Sequence, residues 1–154
     1  MIVCGVRRNK FIFLMSEAVF SVFLGGMIYV IFRTDSLVMF GWFERMQISD
    51  YVYSVRNSVH YSFLETFRTF INTVPGGLWT FSYTAFLLLI WKFKVNFRNI
   101  FYFLFIPTIA ISSEFLQLTG VINGTFDYLD IISYALGALL PFLIHFHKTK
   151  INFR

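Results

Sequence analysis

The stretch Ser112–Gly137, SSEFLQLTGVINGTFDYLDIISYALG, carries the architecture of this chain. It closes one apolar segment with Glu114 and Gln117, turns through Asn123 and Gly124, and opens the next apolar segment with Asp127 and Asp130. A connection this short makes two helical segments antiparallel neighbours. Carboxylates at the ends of lipid-length helices are costly to bury, so they need water, partners or protons close by. Recognition or chemistry is therefore expected at this hairpin.

Composition sets the solvent. With 57% hydrophobic, 21% aromatic and 14% charged residues, the 154-residue chain is too apolar for a water-soluble domain and reads as a single integral membrane domain over 1–154. Its net charge of +5 does not mark a nucleic-acid binder, because nine of the thirteen Lys and Arg fall in three short clusters beside apolar segments. The single cysteine, Cys4, excludes an internal disulfide.

Outward from the hairpin, the flanking apolar segments run over about 99–117, interrupted by Pro107, and about 128–146. Upstream, Pro75, Gly76 and Gly77 break the chain before a further apolar segment, about 74–91, containing WTFSYTAFLLLIW. Near the start, 11–32 is apolar except for Ser16, Glu17 and Ser21. Its length, about 33 Å at about 1.5 Å per residue, crosses a hydrocarbon core of about 30 Å. It is too long for the core of a cleaved signal peptide, so a retained anchor is expected. Between the first and second spans, Val52, Val55, Val59, Phe63, Phe67 and Phe70 recur at steps of three or four, with Arg56, Asn57, His60, Glu65 and Arg68 mostly between them. That pattern predicts an amphipathic interfacial helix over about 51–71, preceded by aromatic anchors at Phe40, Trp42 and Phe43. The fold class is thus all-α, a polytopic bundle of four transmembrane helices plus this interfacial helix.

Arg7, Arg8 and Lys10, then Lys92, Lys94 and Arg98, then Lys148, Lys150 and Arg154 form three clusters without an acidic residue. Four spans put all three on one side. The positive-inside rule makes that side cytoplasmic, with both termini there and the acidic hairpin outside.

Glu114 and Gln117, like Asp127 and Asp130, are three residues apart and share a helix face. The second span enters from the same side and brings Trp79 and Tyr83 to similar depth, which predicts an outward polar pocket of Trp79, Tyr83, Glu114, Gln117, Asp127 and Asp130. Asp127 also has the pattern of a helix N-cap with Asp130 in the first turn. Glu114 serves either function or a polar lock between helices. Glu17 lies toward the opposite face, where it is expected to snorkel or pair with Lys or Arg. His145 and His147, two apart, face different ways and suit interfacial solvation better than metal. The three hairpin carboxylates fall short of the six or more oxygens a hard cation needs. No metal or cofactor is expected, and no nucleophilic triad, phosphate loop, HExxH motif or nucleotide fingerprint is present.

The hairpin resembles the VanZ-like family of small bacterial membrane proteins. Glu114 and Gln117 match a Glu-x-x-Gln at the end of one span; Phe126, Asp127 and Asp130 match an Arg-x-Phe-Asp-x-x-Asp stretch; Gly137 matches the glycine of Asn-x-x-Gly in the last span; and Tyr83 aligns with a tyrosine of the preceding span. Gly124 stands where the arginine belongs, Tyr134 where the asparagine does, and Pro141 where a second glycine does. If the family site binds an anion, or neutralises its own aspartate through that arginine, this chain must take a cation from elsewhere, with Arg56 and Arg68 of the outer helix as candidates. The resemblance implies a bacterial inner-membrane protein of the cell envelope, in a family named for lowered sensitivity to the lipoglycopeptide teicoplanin. The leading expectation is a pocket that binds a lipid headgroup or an amphiphilic antibiotic. The alternatives are an intramembrane enzyme using paired carboxylates on a lipid-linked substrate, and a scaffold whose interfacial helix docks subunits of a membrane complex.

Overall fold

The computed structural model describes residues 2–33, 37–59 and 68–152, which form six helices and one two-stranded sheet. The helices are α1 (Ile2–Phe32), α2 (Val38–Arg45), α3 (Ser49–Ser58), α4 (Arg68–Ile90), α5 (Ile100–Leu118) and α6 (Tyr128–Ile144). Phe11–Phe32, Thr69–Ile90 and Ile100–Leu118 are long and apolar enough to cross a membrane, while α6 is apolar but shorter at 17 residues. Large side chains along these helices face outward uncovered, among them Phe20 and Phe23 of α1, Phe101 and Phe105 of α5 and Leu139 and Leu143 of α6. Water would not tolerate that surface, whereas acyl chains solvate it. Helices suit such a solvent because each satisfies its own backbone polar groups.

α4 is the central element, packed on α1 and α6, with α5 laid mainly against α6. An apolar core gathers at one end, where Leu14 and Ala18 of α1 meet Ala85, Leu87, Leu88 and Leu89 of α4 and Phe103 of α5. At the same end β1 (Lys94–Asn96) pairs in parallel with β2 (Lys150–Asn152), with Lys94 opposite Lys150. The two later basic clusters therefore meet physically, and α1 begins at this end as well. The small sheet is an addition to the all-helical expectation.

Three expectations are corrected. Pro75, Gly76 and Gly77 do not break the chain, because α4 runs through them from Arg68. Its glycines lie against α6: a Cβ on Gly137 would sit 2.2 Å from the Gly77 carbonyl oxygen, and one on Gly77 would sit 2.3 Å from the Ser133 hydroxyl. Close packing of small residues, with the Ser133 Oγ donating to the Thr73 carbonyl at 3.0 Å, outweighs their poor helix propensity. Second, the amphipathic helix over 51–71 is not continuous: α3 ends at Ser58, residues 60–67 lie outside the described residues, and Phe70 belongs to α4. Third, Phe40 is buried rather than an interface anchor, under the Arg56 guanidinium at 4.9 Å. Arg56 in turn donates to the carbonyls of Val30 and Arg33, capping the C-terminal end of α1.

Candidate functional site

At the end of the bundle away from the sheet, the last turn of α1, the first half of α4, the second half of α5 and the first turns of α6 enclose a cavity of about 330 Å³. Tyr29 and Arg33 line it from α1, Thr73, Gly76, Trp79 and Thr80 from α4, Ala110 and Ser113 from α5, and Asp130 and Tyr134 from α6. All four long helices contribute, as the antiparallel hairpin requires. Asp130 and Tyr134, four apart, share a face of α6.

The hairpin carboxylates divide their labour. Asp127 is the N-cap of α6, its Oδ1 accepting from the Leu129 N–H at 2.9 Å. In a capping box the acid at the third helical position would reach back to the N-cap N–H. Here that position is Asp130, but the Asp127 N–H donates instead to Glu114 Oε2 at 3.3 Å. Glu114, only 3% exposed, thereby ties the end of α5 to the start of α6. Asp130 is released from capping and stands on the cavity wall. The Thr73 hydroxyl is turned toward it but stops short of a well-formed hydrogen bond.

The cation is Arg33. It lies on the wall with Asp130, its charge acts on both Asp130 and Glu114, and its Nε is buried without a hydrogen-bond partner. Its guanidinium carbon rests 5.4 Å from the Tyr29 ring centroid, and Tyr29 packs against Trp79 at 5.2 Å. Neither of the cations expected from the sequence, Arg56 and Arg68, lines the cavity: Arg56 caps α1, and the Arg68 side chain is outside the described residues. Arg33 could have been found by depth alone, since it follows the last residue of the first span and must share the level of the hairpin acids.

Of the predicted pocket residues, Trp79 and Asp130 line the cavity, and Glu114 and Asp127 brace its floor through α6. Tyr83 does not join them. It is one turn deeper on α4, packs against the apolar core and donates its hydroxyl to the Tyr102 carbonyl. Gln117 is also absent from the lining; it packs under the turn, where a Cβ on Gly124 would meet its Cδ at 2.6 Å. Gly124 has φ +153°, so both conformation and space favour glycine there. No arginine could occupy this backbone without rearrangement.

At the sheet end, His145 is buried rather than solvated. It contacts Glu17 Oε2 through Nε2 at 2.8 Å and Lys148 Nζ through Nδ1 at 3.2 Å. Among the described residues, Glu17 thus pairs with a histidine and not with a Lys or Arg. Among the described residues, no group of three or more His, Cys, Asp or Glu side chains gathers to hold a metal.

No family model, curated protein or solved structure matches this chain.

Proposed function

We propose that the chain is a VanZ-like, four-span protein of a bacterial inner membrane whose cavity faces outward and binds an amphiphilic envelope ligand, contributing to envelope integrity or antibiotic tolerance. The observation that carries this reading is the placement of Asp130 and Arg33 on the walls of one cavity of about 330 Å³, at the end of the bundle opposite the paired basic strands. Charged side chains at that depth are expensive unless they serve a ligand or each other. The fourth span is α6, whose 17 residues are at the short end of the spanning range and make it close to upright. The positive-inside rule orients the basic end, with both termini, to the cytoplasm.

The test is the detergent and lipoglycopeptide sensitivity of a deletion strain complemented with Asp130→Asn or Arg33→Gln. Both variants should fail to restore tolerance while accumulating in the membrane to the level of the unaltered protein. Full rescue by both would remove the cavity from the function.

A further inference from the structure

The two charged walls of the cavity do not satisfy each other. Among the described residues the only ion pair within 4.0 Å is that of His145 with Glu17, so Arg33 and Asp130 stand apart across the space they enclose. Elsewhere the chain closes such gaps: Glu114 reaches a backbone N–H, and Arg56 reaches two carbonyls. Two opposite charges held apart in a cavity that opens among apolar helices are matched by a ligand carrying the complementary pair.

The cavity's size and its aromatic residues narrow that ligand. About 330 Å³ is near the lower limit for ligand pockets, about 300 to 1,000 Å³, so it admits a headgroup and not the scaffold of a glycopeptide. Two aromatic rings lie on the Arg33 side: the guanidinium rests on Tyr29, and Trp79 packs against Tyr29 at a tilt. The stack holds the guanidinium fork in place, and such a fork recognises an anionic oxygen pair such as phosphate. The opposite wall offers hydrogen-bonding oxygens, the Asp130 carboxylate with the Thr73 hydroxyl beside it, and a single aromatic ring, Tyr134 on the same face of α6, which is not the several-sided cage that holds a quaternary ammonium. That wall suits a primary ammonium, which donates hydrogen bonds, over a quaternary one, which cannot.

We propose that the cavity is a receptor for a primary-amine phosphate zwitterion of the ethanolamine-phosphate type, with phosphate on Arg33 and ammonium on Asp130. The assignment rests on the ligand-binding reading above and specifies its chemistry. The same zwitterion occurs on a phosphatidylethanolamine headgroup and as free phosphoethanolamine. The apolar surroundings favour the lipid, whose acyl chains remain in the bilayer.

The test uses the full chain in phosphatidylcholine nanodiscs containing equal small fractions of phosphatidylethanolamine and phosphatidylglycerol, with retained lipid counted by native mass spectrometry after release. Phosphatidylethanolamine should be retained about tenfold over each of the other two, the scale of one charge-assisted hydrogen bond. Asp130→Asn should abolish the preference over phosphatidylglycerol, and Arg33→Gln should lower retention of all three. Competition by soluble phosphoethanolamine at millimolar concentration, without any lipid preference, would assign the free compound instead of the lipid. The wild-type comparison alone decides even if a variant fails to fold. Preference for phosphatidylglycerol or phosphatidylcholine would overturn the zwitterion while leaving a ligand-binding cavity. Retention of none of the three, with tolerance in cells still dependent on Asp130, would overturn the headgroup assignment only.

Discussion

Replacement of Gly137 by alanine tests the crossing that builds the cavity. The added Cβ would lie 2.2 Å from the Gly77 carbonyl oxygen and 2.3 Å from the Thr80 hydroxyl. A relaxed carbon–oxygen contact is about 3.3 Å, so α4 and α6 must part by about 1.1 Å. Backbone cannot swing aside as a side chain can, and overpacking of this kind costs about 1–3 kcal/mol. Parting also stretches the 3.0 Å bond from Ser133 to the Thr73 carbonyl beyond hydrogen-bonding range, a loss of about 1 kcal/mol. Alanine recovers about 1 kcal/mol of helix propensity. The net destabilisation is about 1–3 kcal/mol. Gly26→Ala is the control, because nothing lies within 4 Å of its Cβ position; it should be neutral or stabilising by up to about 1 kcal/mol. Thermal or denaturant unfolding of the purified protein in one detergent would compare them. If Gly137→Ala unfolds within about 0.5 kcal/mol of the unaltered protein, the close crossing of α4 and α6 is refuted.

Other consequences follow from the site. Asp127→Ala should cost about 1 kcal/mol through the lost cap, and Asp127→Asn much less; equal losses in the same unfolding assay would dismiss the cap. Gly124→Arg should destabilise by about 1–3 kcal/mol because φ is +153° and Gln117 fills the space, so a gain in stability would contradict this turn geometry. The Lys148 ammonium can only donate to His145 Nδ1, which leaves the ring proton on Nε2, facing Glu17. Nitrogen-15 NMR should therefore show Nε2 protonated and Nδ1 bare, and Lys148→Met should shift the Nδ1 resonance while leaving cavity residues unmoved.

The membrane character, the helical hairpin and the segregation of basic and acidic ends were legible along the chain. Each depends on the run of apolar residues and the charges that flank it, which bilayer thickness converts directly into helix length. The cap at Asp127 was legible for a similar reason, since capping is a local pattern. The partners were not. A polar lock was one reading of Glu114, but its closure on the Asp127 N–H and the pairing of His145 with Glu17 depend on relative depth and helix rotation. Those were set by the Gly77–Gly137 approach and by α4 continuing through Pro75. The sequence reading put Tyr83 at a depth similar to that of Trp79, but a further turn of about 5.4 Å carries it out of the cavity and into the core. Hydrophobic length is a one-dimensional property that the amino-acid order states by itself, whereas which polar groups meet depends on how tightly neighbouring helices can pack, and only the tertiary structure determines that.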